Sequence, residues 1–231
     1  MSAIRICPSM MCADFFDLRG DLAALEQGGA DYLHVDIMDG HYVPNFTLGI
    51  DFCRKIAART TIPFDVHLMI ENVDNYIPMF AGLPGSPLVS FHPEVSYHPV
   101  RTIQLIRSSG GRPAIALDPS VPVEQVRNLV PLVDMVLVMT VSPGYAGQKI
   151  VPGGIDLIRE TAEYCRRINP DVLIEVDGNV SWELVPQMIG AGAQMLVAGT
   201  SSLFDGKAPL TWNMMRMKEL CAGVDTARKT A

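Results

Sequence analysis

Five cysteines, Cys7, Cys12, Cys53, Cys165 and Cys221, are present, and no two have C-x-x-C spacing. With an odd count as well, a disulfide framework or a structural zinc knuckle is not expected. The chain also lacks a basic stripe: its 18 Lys and Arg are scattered against 25 Asp and Glu, for a formal net charge of -7. Binding along a phosphodiester backbone needs clustered cations, so the expectation is no nucleic-acid partner. No apolar run reaches bilayer-spanning length, and the N-terminal MSAIRICPSM has no basic segment leading into a long apolar stretch. The expected setting is therefore cytoplasmic, with no membrane partner. A G-x-G-x-x-G turn is missing after the first apolar run, which argues against a dinucleotide-binding sheet. Low-complexity segments and internal linkers are absent too.

What is present is a chain of 231 residues, 48% of them hydrophobic, enough for one large core. Short apolar, β-branched runs read as buried parallel strands near Ile4–Cys7, Tyr32–Val35, Phe64–His67, Leu88–Phe91, Ala114–Leu117, Met135–Val138, Leu173–Val176 and Met195–Ala198. Helical stretches lie between them, over Leu18–Gln27, Glu124–Leu132 and Ile155–Arg167, with Ser181 as N-cap of a further helix through Gln187. Strands alternating with helices, with polar residues clustered just after many strands, predict an α/β chain folded as a single (β/α)8 TIM barrel. Its expected extent is residues 1–222, with 223–231 as a flexible C-terminal tail; 82–87, carrying two glycines and two prolines, reads as a turn-rich connection.

The second strand ends in His34-Val35-Asp36-Ile37-Met38-Asp39-Gly40, the third in Asp65-Val66-His67, the seventh in Glu175-Val176-Asp177-Gly178. Residues two apart in a strand share a face, so His34 points with Asp36, Asp65 with His67 and Glu175 with Asp177. His34, Asp36, His67 and Asp177 at one end of a barrel make a mixed nitrogen and oxygen donor set, suited to one divalent ion of zinc, iron, manganese or cobalt. A lone H-x-D is weak, because it is usually a satisfied polar pair. Four such groups in one mouth are costly to bury without a cation or partners. Asp65 is placed to orient a metal-bound imidazole, although a buried carboxylate satisfied by backbone amides is nearly as good a reading.

Strands two and seven are three steps apart around an eight-stranded ring, so Asp36 and Asp177 can face each other across the mouth. A substrate carbon between them would expose one face to each. That arrangement removes a proton from one face and returns one to the other, as catalytic acid and base, through an enediolate. Small residues follow strands six to eight: Gly144, Tyr145, Ala146 and Gly147, then Gly178 and Asn179, then Gly199 and Thr200. Loops of this kind let backbone amides approach a phosphate. Met38, Met69 and Met139 also follow strands; they are either core filler or a thioether ring lining the active site and excluding water.

Pro8-Ser9, the 34–40 segment, Val43-Pro44-Asn45, His67-Leu68-Met69, His92-Pro93-Glu94, Pro143 to Gln148 and Val176-Asp177-Gly178 together resemble the ribulose-phosphate 3-epimerase family over nearly the whole chain. The resemblance implies an isomerase that epimerises C3 of a phosphorylated ketose through a cis-enediolate. It implies that His34, Asp36, His67 and Asp177 bind one divalent metal, and that Asp36 and Asp177 are the acid/base pair. It further implies that Ser9 and His67 contact substrate, and that the glycine loops carry its phosphate. Ala146, Asn179 and Thr200 depart from the family's commoner residues. Those departures, with Met11-Cys12 and Met139-Thr140-Val141, resemble the D-allulose-6-phosphate branch, which makes D-allulose 6-phosphate the expected substrate and D-ribulose 5-phosphate the alternative. A homo-oligomer, dimer or hexamer, is expected on the same ground. A metal-dependent hydrolase would want a richer histidine set such as H-x-H, and a phosphosugar-binding protein would not need two opposed carboxylates.

Overall fold

Each strand in this chain turns alternate side chains to opposite sides of one sheet, and both sides are buried. The computed structural model describes the backbone of residues 3–230 and the side chains of 3–224. Eight strands, β1 (Arg5–Pro8), β2 (Leu33–Met38), β3 (Phe64–Met69), β4 (Leu88–Phe91), β5 (Arg112–Leu117), β6 (Met135–Met139), β7 (Leu173–Asp177) and β8 (Met195–Ala198), pair in parallel. Their order is β1-β8-β7-β6-β5-β4-β3-β2, and a parallel bridge between Ser9 and His34 joins the two ends. The result is the expected (β/α)8 barrel.

The outer faces carry Leu33, Val35 and Ile37 of β2, Phe64, Val66 and Leu68 of β3, and Ile174 and Val176 of β7, all packed in one core under the helices. The inner faces carry a second apolar cluster that includes Cys7, Ala114, Ala116, Met135, Leu137 and Met195. The barrel is thus a filled core closed from below, and its polar inner residues collect toward one end.

Seven helices cover it: α1 (Leu18–Gly28), α2 (Ile50–Ala57), α3 (Ile77–Ala81), α4 (Pro99–Ser108), α5 (Gly154–Ile168), α6 (Val185–Ala191) and α7 (Leu210–Thr230). No helix among the described residues is long and apolar enough to cross a membrane. α1 starts where Asp17 accepts the Gly20 N–H and stops at Gly29, a left-handed C-cap with φ 69°. Three expectations change. Glu124–Leu132 is not an α-helix but two short 3-10 turns, Val123–Val126 and Val130–Leu132. Pro131 has no N–H to give and its ring crowds the preceding turn, so an α-helix cannot run through. Ser181 does accept a bond from Leu184 N at 3.3 Å, but α6 proper begins only at Val185 and passes through Gly190 to Ala191. The backbone of α7 continues helically past Gly223, where a flexible tail was expected to begin; one glycine costs a helix only about 1 kcal/mol. Ala231, the end of that expected tail, lies outside the described residues.

The β1–β2 seam is where the ring closes with the fewest backbone bonds. Asp31 N donates to Ile6 O at 3.0 Å, and the Asp31 carboxylate accepts the Ile6 N–H at 2.9 Å. A side chain here replaces a missing strand partner for a buried amide. Replacing Asp31 with Ala strands that amide and should lower unfolding stability by about 1–3 kcal/mol. Asp31→Asn keeps an acceptor and should lose clearly less. Denaturant unfolding of the two variants checks this, and equal losses would mean the seam does not depend on that bond.

Candidate active site

The inner residues of β2, β3 and β7 meet at the C-terminal end of the barrel because the register pairs them. His34 lies opposite Asp65 and Asp36 opposite His67 across β2 and β3. Asp177 closes β7 beside Met139. One donor atom from each of His34, Asp36, His67 and Asp177 lies within 4.8 Å of the others. β2 runs on to Met38 and β3 to Met69, past the ends expected for them, so Asp36 sits within its strand.

Asp36 is the hub. Its Oδ1 is 3.2 Å from His34 Nε2 and 3.3 Å from His67 Nδ1, and its Oδ2 accepts the Ser9 hydroxyl at 3.0 Å. Asp177 Oδ2 approaches His67 Nδ1 at 3.9 Å. Donors spaced 3.2–3.9 Å apart fit ligands that share one ion at ~2.1 Å each. Two imidazoles and two carboxylates, all but Asp177 fully buried, are also the donor types such an ion takes. The four residues therefore fit a divalent cation.

The charges in this cluster are unequal. Burial alone would raise Asp36, but the adjacent His34 and His67 hold it far below the usual carboxylate range. Burial, and then the charge of Asp36, push Asp177 up to about 7. His34 is raised well above an ordinary imidazole: burial works against this, and the charges of Asp36 and Asp65 overcome it. Asp65 Oδ2 meets His34 Nδ1 at 2.5 Å, so the carboxylate that the two-residue spacing placed near an imidazole does orient one. Below it, Cys7, Asp65 and Glu175 form another fully buried trio. Burial and the Asp65 charge raise Glu175 well above its usual range, and burial with the Glu175 charge does the same to the Cys7 thiol.

Above the cluster lies an open cavity. Its wall includes Ser9, Asp36, Asp177, Met38, Met69 and Met139, and every loop residue expected at the phosphate end: Gly144, Tyr145, Ala146, Gly147, Gly178, Asn179, Gly199 and Thr200. His34 and His67 do not line it; both are 0% exposed behind the wall, including His67, which the resemblance implied would touch substrate. The loops are shaped by close approach. At Gly178 (φ 112°) a Cβ would meet Val141 Cγ2 at 2.7 Å, and Thr140 Oγ1 donates to the Gly178 carbonyl at 2.6 Å. Tyr145 OH donates to Pro44 O and Asn45 Nδ2 to Gly144 O, both at 2.8 Å, which ties the loop after β2 to the loop after β6.

Sequence reasoning did not assign roles to several residues here. Cys12, Ser142 and Val197 line the cavity, but neither a lone loop residue nor a valine inside β8 carries a spacing signal for a site. His92, in the segment after β4, places its Nε2 2.9 Å from His67 Nε2, and Glu94 and Tyr42 adjoin it. The H-P-E run was visible, but nothing in the linear order connects it to His67.

The fold and the sequence each have known counterparts. A mutant tryptophan synthase α-subunit from Pyrococcus furiosus superposes with a TM-score of 0.67 at 17% identity, covering 96% of this chain and all of that one, a likeness of fold alone. The ribulose-phosphate 3-epimerase of Bacillus subtilis is 43% identical over 199 residues, covering 86% of this chain and 91% of that protein. The enzyme of the same name from Escherichia coli K12 is 38% identical over 206 residues, covering 89% and 91%. The model of the ribulose-phosphate 3 epimerase family matches residues 5–204, nearly the whole barrel. With that match, and relatives this similar over most of their length, the chain belongs to the ribulose-phosphate 3-epimerase family of isomerases.

Proposed function

We propose that the chain interconverts D-ribulose 5-phosphate and D-xylulose 5-phosphate by moving a proton at C3. The observation that carries the chemistry is the placement of two carboxyl groups, Asp36 and Asp177, on one cavity wall and in one donor cluster, with Asp36 held low by its histidine neighbours and Asp177 raised to about 7. A pair whose surroundings push its two members apart is a base and an acid in waiting. In this reading the Asp36 carboxylate takes the C3 proton from one face of the sugar, and the Asp177 carboxyl delivers one to the other face of the enediolate. The reverse reaction exchanges the roles. Ser9 holds Asp36 Oδ2 in place by its hydroxyl bond. Met38, Met69 and Met139 put low-polarity thioethers on the cavity wall, where they exclude water from the carbanionic carbon. The loops at 144–147, 178–179 and 199–200 offer backbone amides to the phosphate. His34, Asp36, His67 and Asp177 would hold a divalent cation, which would supply positive charge beside the reacting carbon.

The five-carbon substrate is supported by relatives named for ribulose phosphate at 38–43% identity. The motif ground for D-allulose 6-phosphate is weaker at Asn179 than the linear sequence implied. Its carboxamide is engaged with Ile150 N at 3.3 Å and Ser201 Oγ at 3.1 Å, tying loops together, and is not left free for a longer sugar.

Three outcomes are expected. Asp177→Asn should abolish conversion to D-xylulose 5-phosphate while phosphate affinity stays within a few-fold, leaving only exchange of the C3 proton of D-ribulose 5-phosphate through Asp36; retained epimerisation would remove Asp177 from the acid/base pair. The kcat/KM for D-ribulose 5-phosphate should exceed that for D-allulose 6-phosphate by at least about tenfold, since even one surplus methylene costs about 1–3 kcal/mol in a fitted pocket. The opposite order would return the assignment to the six-carbon sugar. Because His34 holds its proton well above the ordinary imidazole range, a cation bound there must displace that proton. Apparent affinity for added Zn2+ should therefore climb as pH rises through 7, with protons released to the buffer. Calorimetry in buffers of different ionisation heat reads that release, and pH-independent binding without it would contradict the placement of the ion on His34.

A further inference from the structure

His67 has two ring nitrogens in different company. Nδ1 faces Asp36 Oδ1 at 3.3 Å and Asp177 Oδ2 at 3.9 Å, whereas Nε2 faces the Nε2 of His92 at 2.9 Å. Two imidazole nitrogens that close need one proton between them: two lone pairs repel, and so do two N–H groups. The direction of that proton is decided at the far side of His92. Its Nδ1 lies 3.5 Å from Glu94 Oε1, an electrostatic contact too poorly directed to be a full hydrogen bond, and no other partner is present for it. Glu94 Oε1 also accepts the Tyr42 hydroxyl at 2.8 Å, and the Tyr42 ring lies tilted over the His92 ring at 4.8 Å between centroids. His92 is fully buried.

We propose that His92 is a positioning residue that fixes the tautomer of His67, with Glu94 and Tyr42 as its anchor. The Glu94 charge draws the His92 proton to Nδ1. His92 Nε2 then accepts the Nε2–H of His67, and the lone pair of His67 Nδ1 is left directed at Asp36 and Asp177, where it can bind a cation. The chain from Tyr42 to His67 joins the loop after β2, the segment after β4 and the inner face of β3. Readiness to bind metal is thus set partly by groups that touch neither metal nor sugar. The inference rests on His67 being a metal ligand, as in the function proposed above.

The test measures Zn2+ affinity by competition with a chromophoric chelator, alongside thermal unfolding of the metal-free protein. Outer groups that orient a metal-bound histidine are worth roughly 10–100-fold in affinity. His92→Phe, which removes the acceptor, should weaken Zn2+ binding by that factor. His92→Gln, whose carboxamide oxygen can accept the same N–H, should stay within about threefold of the parent. Glu94→Ala, at a half-exposed position, should weaken binding in the same direction without lowering the unfolding temperature, and it carries the test alone should His92→Phe not fold. Folded His92→Phe with parental affinity, a Gln variant as weak as the Phe variant, or an unaffected Glu94→Ala would each overturn the proposal. His67→Ala separates the two levels: unchanged Zn2+ affinity there refutes the ligand assignment itself, whereas a large loss there with no effect at His92 refutes only the tautomer relay.

Discussion

A carboxylate buried among imidazoles governs this molecule. Asp36 is 4% exposed and would be strongly destabilised as an anion were it not held by Ser9 and His34. The cost of burying an unpaired charge makes these contacts conditions of the fold and not additions to it. Ser9 belongs to the closing bridge between β1 and β2, so the residue that steadies Asp36 also helps seal the ring. His34 passes the constraint to Asp65 and His67 passes it to His92, each through its second nitrogen. Ser9, Asp36, His34, Asp65, His67 and His92 on the inner wall therefore form a series of connected pairs.

The same connection explains how one end of a filled barrel becomes reactive. Below the mouth, Ala, Leu and Met side chains pack the interior. At the mouth, two carboxyl groups of identical intrinsic acidity are driven in opposite directions. Asp36 has the positive neighbours, and Asp177 has the negative one. The difference comes from environment alone, since both residues are aspartate. The loops then supply a cavity in which a phosphate can be held by backbone and not by a lysine or arginine, in keeping with a net negative chain.

Much of the site was legible in the linear order because strands have a two-residue period. H-x-D in β2, D-x-H in β3 and E-x-D in β7 put each pair on one face wherever the strand sits, and the face is inward in all three. The eight strands were legible for the same reason, as short apolar runs. Helices were harder to read. Four of them, α2, α3, α4 and α7, drew no reading from periodicity, and the region before β6 looked helical until Pro131 is given its steric weight. His92 and Glu94 were visible as residues, but their function was not, because it depends on a contact across 25 positions.

What the sequence determined by itself was the kind of chemistry: which side chains exist, which share a strand face, and which loops are small enough for an anion to approach. Those follow from local backbone geometry, which knows nothing of the rest of the chain. Only the tertiary structure decided which groups meet and in what state. Ring closure through Ser9 and His34 brought β2, β3 and β7 to one mouth, and a register that pairs Asp36 with His67 set the distances. A slip of one residue would turn these groups outward onto the helices. The acidity of Asp177 and the placement of His92 behind His67 depend on charges and rings contributed by distant strands, and only the folded barrel brings those together.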